Sequence, residues 1–329
     1  MEDKGFINPM KFLISNLIRK TFLYLTHIFP MYSLGGNKLR IVMYHGVGDD
    51  ELSTREFECH LKFYKKHFQI YWASEAVGLL NDNFRTKSNK QPLILTFDDG
   101  LTNNFSKAAP ILNKLNVKAT FYLVSDLLSG DEMLWNHEIR CRLELLSIRE
   151  LKLLSITIPN LNESLNEDVK SCIERYVNTM KSWDKPDQVA FLKNLRVFSP
   201  SPKYTESMLN EFSIMSIDNA KALPDCIEIG SHGETHALLD TIPLEDARNE
   251  ICRSKIKLER ALGTEIKTFC YPNGNMTAEI IEIVQAEYES AVTVVDGFVL
   301  AKDSAVEFKR IPAAPKLQDL AYRLIRPTS

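Results

Sequence analysis

The sequence predicts an α/β protein whose parallel strands close, or nearly close, into a barrel covered by helices. Short apolar segments alternate with helical ones, and seven or eight such units can be counted. A chain of 329 residues is long enough for one large domain with an insertion. Its composition, 44% apolar and 25% charged residues, is that of a soluble globular protein. The formal net charge of −3 gives no indication of nucleic-acid binding.

Eight segments are predicted to be strands because each is short and rich in β-branched or aromatic residues. These segments are residues 39–44, 68–72, 92–97, 118–124, 226–230, 266–271, 290–295 and 306–311.

Helices are predicted between these strands. Ser53 and Glu56 have the spacing of a capping box, and the apolar residues that follow lie on one helical face as far as His67. Further helices are predicted near residues 108–115, 243–262 and 277–288. Since strands and helices alternate, the strands are expected to run parallel.

The alternation stops between residues 126 and 223. This stretch is rich in Leu, Glu, Lys and Ser and predicts several helices, with a proline-containing connection at residues 198–204. We interpret it as a helical insertion into a barrel that occupies residues 39–329, preceded by a separate segment at residues 1–38.

Residues 10–29 have the pattern of a basic amphipathic helix, and residues 1–40 hold six Lys or Arg against two Asp or Glu. Arg19 and Lys20 interrupt the apolar face and Pro30 ends it, short of the roughly 18 apolar residues of a spanning helix. The helix is expected to lie on an anionic membrane surface or to pack on its own domain. No secretory signal is recognised, so we expect a cytoplasmic protein, peripheral to the membrane in the first case.

Two adjacent carboxylates, Asp98 and Asp99, follow the apolar strand at residues 92–97 and precede Gly100. Glycine permits a bend that lets both carboxylates face one cavity, at the strand end where barrel enzymes keep their active sites. Two carboxylates so close repel each other, and a cation is expected near them. Alone, the motif is also compatible with an ordinary turn.

Two histidines, His232 and His236, lie four residues apart just after the strand at residues 226–230. If a helix begins there, both imidazoles share one face and have the spacing of a zinc-binding pair. With one carboxylate they would fill three positions and leave a fourth open, which is the pattern of a catalytic site. The alternative is a pair of solvated histidines.

Four motifs, each at the end of a predicted strand, resemble in type and order those of the polysaccharide deacetylase, or NodB-homology, family. They are VMYHGV (42–47), LTFDDG (95–100), GSHGETH (230–236) and FCYPNG (269–274). The resemblance spans residues 39–125 and 224–312. It implies a distorted (β/α)7 barrel and the removal of acetyl groups from N-acetylated sugars with one divalent metal, commonly zinc.

Carried over residue by residue, the resemblance makes Asp99, His232 and His236 the metal ligands and Asp98 the general base. His45 resembles the histidine that acts as the acid in one branch of the family, and the alternative is a histidine packed at a strand end.

The third motif is predicted to bind the substrate through Tyr271 and Asn273, the latter with the backbone N–H that would stabilise an oxyanion. Many members have an arginine in this motif that orients the base, whereas this chain has Cys270. Arg310 is expected to supply that charge from another direction or to form a surface ion pair. Trp135 is a candidate wall of a sugar subsite or an anchor of the insertion.

Other functions are compatible with parts of this pattern. Non-haem iron oxygenases also use two histidines and one carboxylate, but here the carboxylate lies about 130 residues before the histidines, and the adjacent Asp98 would have no role. The altered third motif leaves an inactive NodB-like glycan-binding protein as an alternative. For the enzyme, we expect an N-acetylated sugar of a bacterial cell-envelope polysaccharide or its biosynthetic intermediate as the substrate.

Overall fold

The computed structural model describes residue 21 and residues 37–48, 52–88, 90–128, 132–154 and 169–325. The helix predicted at residues 10–29 therefore lies outside the described residues, apart from residue 21. Among the described helices, none is both long and apolar enough to cross a membrane.

Eight parallel strands form the centre of the fold. They are β1 (Arg40–Tyr44), β2 (Phe68–Tyr71), β3 (Gln91–Phe97), β4 (Ala119–Leu123), β5 (Ile227–Ser231), β6 (Thr268–Cys270), β7 (Ser290–Asp296) and β8 (Phe308–Pro312). Each predicted strand is confirmed, with its ends shifted by at most two residues.

Seven of the strands close a barrel in the order β1, β3, β4, β5, β6, β7, β8 and back to β1. The eighth, β2, pairs with the first half of β3, where Phe68 lies opposite Gln91 and Tyr71 opposite Ile94. The closed barrel with surrounding helices confirms the predicted (β/α)7 fold class.

Helices cover the barrel and fill the long connection between β4 and β5. The described helices, short single turns aside, are α1 (Thr54–His67), α2 (Ala76–Asn81), α3 (Ala109–Leu115), α4 (Trp135–Glu144), α5 (Ile148–Leu154), α6 (Val169–Met180), α7 (Lys185–Phe198), α8 (Glu206–Phe212), α9 (Ile217–Lys221), α10 (Leu244–Leu262), α11 (Ala278–Glu287) and α12 (Leu317–Arg323). Six of them, α4 to α9, lie between β4 and β5, within the stretch predicted to be an insertion.

The alternation of side chains along the strands separates two layers of core. Outward residues such as Leu95 and Phe121 pack with helix residues such as Phe57 in the main cluster. Inward residues such as Ile94 and Tyr122 form a second cluster. The helices between β4 and β5 have a cluster of their own that includes Ile139, Leu143, Ile173, Val177 and Leu195.

Candidate active site

The two adjacent carboxylates occupy a tight turn at the carboxyl end of β3. The N–H of Asp98 still donates to the carbonyl of Tyr44 at 3.0 Å, which continues the pairing with β1. Asp99 and Gly100 then adopt left-handed backbone conformations, with φ of 72° and 71°. A Cβ atom on Gly100 would lie 2.8 Å from Leu123 Cδ2, so another residue would displace that side chain as well as strain the backbone. Both carboxylates are buried.

The segment that leads back from the inserted helices holds this turn from the other side. The N–H of Thr102 donates to the carbonyl of Ser213 at 2.8 Å, and the N–H of Met215 donates to the carbonyl of Gly100 at 2.9 Å. The insertion is thus hydrogen-bonded to the loop that presents Asp99.

The two histidines lie on a loop after β5, and no helix begins there. The N–H of His232 donates to the carbonyl of Leu123 at 2.8 Å, which extends the pairing of β5 with β4. Gly233 and His236 then take left-handed conformations, with φ of 84° and 60°, which a helix does not allow. The turn, rather than a helical face, brings the imidazoles together, with ring centroids 4.8 Å apart.

Asp99, His232 and His236 form a compact group of potential metal ligands. The Nε2 atoms of both histidines lie 3.4 Å from Asp99 Oδ1, and one ligand atom from each residue lies within 4.8 Å of the others. Metal–ligand bonds of about 2.0–2.2 Å in tetrahedral geometry place ligand atoms about 3.3–3.6 Å apart. The three residues therefore fit a single divalent ion with a fourth position for another ligand.

The imidazole of His232 is oriented by its other nitrogen. Its Nδ1 lies 2.7 Å from the carbonyl oxygen of Cys270 and can donate a hydrogen bond to it. A proton on Nδ1 leaves the lone pair of Nε2 directed at Asp99, and this is the arrangement usual for metal-binding histidines.

The carboxylate of Glu250, on α10, fixes the histidine loop, although no motif in the sequence indicates this residue. Its Oε2 accepts the N–H groups of Glu234 and Thr235 at 2.9 and 2.8 Å, and its Oε1 accepts the hydroxyl of Thr235 at 2.5 Å. These bonds satisfy the backbone of the two residues before His236. The signal in the sequence was weak, since one glutamate on an amphipathic helix has no distinctive pattern.

Asp98 forms a buried ion pair with Arg310. The Nη1 and Nη2 atoms of Arg310 donate to the two carboxylate oxygens at 2.7 Å each, and the side chains are 0% and 4% exposed. Burial raises the pKa of Asp98, but the charge and hydrogen bonds of Arg310 lower it by more, so the pKa lies below the ordinary value. Asp98 is therefore ionised at neutral pH.

Arg310 projects into the barrel from β8, and the alternative of a surface ion pair is wrong. Its Nε donates to the carbonyl of Thr293 at 2.6 Å, and its Nη1 also donates to Thr96 Oγ1 at 3.1 Å. Cys270 Sγ lies 3.4 Å from Nη2. Many family members have an arginine at the position of Cys270. In this chain the small cysteine side chain contacts the guanidinium of Arg310, which comes from β8.

His45 follows β1 directly and is exposed. Its charge lowers the pKa values of both Asp98 and Asp99, although burial and nearer groups have larger effects on each. The histidine is therefore electrostatically coupled to the two carboxylates while it remains accessible to solvent. Its role as an acid stays a prediction.

The two residues of the third motif that are predicted to bind the substrate differ in exposure. The ring of Tyr271 is buried, its hydroxyl donates to the carbonyl of Val306 at 3.0 Å, and its N–H donates to the carbonyl of Val292 at 3.3 Å. Both of its donors are used within the protein, so Tyr271 supports the loop, and its role in substrate binding stays a prediction. Asn273, which is exposed and left-handed with φ of 55°, keeps its predicted role as a prediction.

The first helix of the insertion approaches the site with Trp135 and His137. Trp135 packs partly on the insertion core and also lines a cavity. Its role as the wall of a sugar subsite stays a prediction. Burial lowers the pKa of His137 to about 4, and its remaining electrostatic partners include Asp99, His236 and His45. The insertion therefore contributes side chains to the surroundings of the site.

The sequence profile of the polysaccharide deacetylase family matches residues 85–193 and 219–289, which together are more than half of the chain. The chain belongs to the polysaccharide deacetylase family. Members of this family are hydrolases that act on carbon–nitrogen bonds other than peptide bonds.

Individual relatives of this deacetylase-family chain are distant. YxkH of Bacillus subtilis (strain 168), which is named after the same family, is 33% identical over 91 residues, or 26% of this chain and 32% of YxkH. The match thus spans about a third of the length of that relative.

Solved structures of deacetylases share the fold over most of the chain. The deacetylase PplD of Streptococcus pyogenes, in complex with acetate, has a TM-score of 0.58 and 15% identity, covering 89% of this chain and 100% of PplD. IcaB of Ammonifex degensii has a TM-score of 0.56 and 16% identity, covering 88% and 98% of the two chains. The polysaccharide deacetylase BC0361 of Bacillus cereus has a TM-score of 0.56 and 18% identity, covering 88% and 69%. At these identities the likeness concerns the fold alone.

Proposed function

We propose that this chain is a metal-dependent de-N-acetylase that hydrolyses the acetamide of an N-acetylated sugar in a polysaccharide or its biosynthetic intermediate. One observation carries the proposal: the Nε2 atoms of His232 and His236 each lie 3.4 Å from Asp99 Oδ1, next to a second carboxylate, Asp98, that is paired with Arg310. A metal triad beside an ionised base is the arrangement that metal-assisted amide hydrolysis requires.

The proposed metal ligands are Asp99, His232 and His236. An ion held there would polarise the acetamide carbonyl and lower the pKa of water in the site. Zinc suits two imidazoles and one carboxylate, and the same donors also bind cobalt, nickel or iron. Zinc is therefore the proposed resident ion, with its identity open to measurement.

Asp98 is proposed to take the proton of the attacking water. Arg310 holds both of its oxygens at 2.7 Å, which fixes the carboxylate plane and keeps the group ionised. Because Arg310 is buried and acts through its contact with Asp98, we assign it a positioning role.

Two further groups complete the proposed reaction. The N–H of Asn273 would stabilise negative charge on the former carbonyl oxygen, since the preceding residue is Pro272 and has no N–H. His45 would give a proton to the departing amine, and its exposed position at the end of β1 leaves it accessible.

A non-catalytic glycan-binding function is less well supported. The altered third motif left it as an alternative, because the arginine expected to orient the base is replaced by Cys270. The bidentate contact of Arg310 with Asp98 supplies a guanidinium at the base from β8 instead. The departure in the motif is thus compensated within the barrel.

Acetate release from N-acetylglucosamine oligomers by the zinc-loaded protein tests the proposal. Asp98→Asn is expected to keep the metal and lose the activity, since the amide cannot accept the proton. Asp225→Asn, at an exposed position outside the site, is the matched control and should keep both. If the zinc-loaded protein releases no acetate from any N-acetylated glycan, the proposed activity is wrong.

A cytoplasmic location at the inner face of the membrane is proposed from the basic pattern of residues 10–29, which the structure does not describe. The substrate would then be an intermediate linked to a lipid or a nucleotide. Removal of residues 1–36 should release the protein from membrane fractions. Unchanged membrane fractionation would contradict the proposed association.

A further inference from the structure

A cavity of about 590 Å³ lies between the insertion and the loop that carries His236. Its lining includes Thr235, the residue next to His236, and Trp135 and Arg196 from α4 and α7. The volume lies within the range of about 300–1,000 Å³ that is usual for small-ligand pockets. Because Thr235 precedes His236 directly, a glycan with its acetamide at the proposed metal site would have this cavity beside it.

Two aromatic side chains, Trp135 and Tyr204, form part of the cavity wall. Both are half-buried, so each ring packs on the protein with part of its surface open to the cavity. Such rings offer a flat apolar surface together with a polar edge. That combination suits a pyranose ring, which has an apolar face of C–H groups and a rim of hydroxyl groups.

A polar network lines the same cavity. Arg142 Nε and Arg196 Nε donate to Glu138 Oε1 at 2.8 and 2.9 Å, and Arg196 Nη2 donates to Glu138 Oε2 at 2.5 Å. Planar guanidinium and carboxylate groups held in this way offer remaining donors and acceptors in fixed directions. Neighbouring hydroxyl groups of a sugar match such a set.

The charges of the lining favour a neutral ligand. The two guanidinium groups of Arg142 and Arg196 are balanced by the carboxylates of Glu132 and Glu138, all four in the lining. Glu138 already engages both arginines. A phosphate or a uronate would need an uncompensated cation, which this set of side chains does not provide.

We propose that the cavity lined by Trp135, Glu138, Arg142, Arg196 and Tyr204 binds a neutral sugar residue of the same glycan whose acetamide lies at Asp99, His232 and His236. The nature of the glycan rests on the proposed function, but binding in the cavity does not require turnover. The insertion then selects oligomers over single sugars, because only a chain can occupy both places.

Calorimetric titration of the full-length protein with N-acetylglucosamine and with its β-1,4- and β-1,6-linked tetramers tests this site. The wild-type protein is expected to bind at least one tetramer about tenfold more tightly than the monomer, and Tyr204→Ala should remove most of that difference. Arg196→Ala should have the same effect. Lys193→Ala is the matched control, since Lys193 is an exposed cation on α7 outside the cavity lining.

Tyr204→Ala leaves the Glu138 network in place, so it tests the cavity even if Arg196→Ala disturbs the packing of α4 on α7. The inference is overturned if neither tetramer binds more tightly than the monomer, if Tyr204→Ala binds the tetramer as the wild type does, or if inorganic phosphate displaces the tetramer. Tetramer binding that Tyr204→Ala weakens, without any acetate release, would support the site and overturn the proposed hydrolysis instead.

Discussion

Replacement of Arg310 by methionine is expected to lower the free energy of unfolding by about 3–5 kcal/mol, the usual cost of an uncompensated buried charge. Methionine keeps much of the length of the side chain but removes the guanidinium. Asp98, whose side chain is 4% exposed, then loses its two hydrogen bonds of 2.7 Å and its counter-charge. Thr96 and Thr293 also lose a donor each.

The double variant Asp98→Asn/Arg310→Met distinguishes the effect of the unpaired buried charge on stability from the effect of the changed packing. With both charges removed, no ionised group is left buried, so the double variant is expected to be more stable than Arg310→Met alone. Lys309→Met, at a half-exposed lysine that neighbours Arg310 on β8, is the control and should lose no more than about 1 kcal/mol.

The contribution of Asp98 to the pH dependence of stability should also have opposite signs in the wild type and in Arg310→Met. In the wild type the pKa of Asp98 is lowered, so its stabilisation is complete above the unfolded-state pKa of about 3.9 and is lost as the pH falls through the folded-state pKa. In Arg310→Met, burial, which has the largest effect on the pKa of Asp98, is opposed only by the charges of His232 and His45, and the pKa is expected to rise. The variant should then lose stability as the pH rises above about 4, and its deficit should be largest near neutral pH.

Urea unfolding followed by circular dichroism, with EDTA in every sample, measures these differences, since a metal bound to the folded state would add its own stabilisation. A loss below about 1 kcal/mol for Arg310→Met, or a double variant no more stable than the single one, would refute the reasoning from the buried pair.

Three further predictions concern the ligands, the loop and the barrel. Asp99→Asn should lose zinc in a competition with a chromophoric chelator, whereas Asp98→Asn should retain it; equal retention would exclude Asp99 as a ligand. Glu250→Gln should weaken zinc binding about tenfold in the same assay because the histidine loop loses an acceptor, whereas Glu245→Gln, exposed on α10, should not. Gly230→Ala should lower the free energy of unfolding by about 1–3 kcal/mol in urea unfolding, since its Cβ would lie 2.5 Å from the ring of Tyr122. The control is Gly78→Ala in α2, whose Cβ would meet nothing within 4 Å and which should not destabilise the protein.

Much of the fold could be predicted because the signals are local. Each strand is indicated by a short run of β-branched and aromatic residues, and each motif lies at the end of such a run. The approach of the Asp98–Asp99 pair to His232 and His236 was also predictable, because the carboxyl ends of parallel strands meet at one end of a barrel. The choice of Asp99 as the ligand came from the family resemblance.

Other parts of the site depend on conformations and contacts that spacing does not encode. The four-residue spacing of His232 and His236 is equally compatible with a helix and with a turn. The left-handed backbone conformation of His236 shows that the segment is a turn. Glu250 lies 14 residues beyond His236, yet its carboxylate accepts hydrogen bonds from the backbone N–H groups of the two residues before that histidine. Neither feature leaves a periodic signal in the sequence.

The sequence by itself determined the strands, the order of the motifs and the residue types from which a metal site can be built, because these depend on local propensity and on the common direction of parallel strands. Only the tertiary structure decided that Arg310 supplies the guanidinium at Asp98, and that the donors of Tyr271 are used within the protein. The physical reason is that closure of the barrel brings β8 beside β1 and directs alternate side chains inward, so that residues more than 200 positions apart share one buried electrostatic environment.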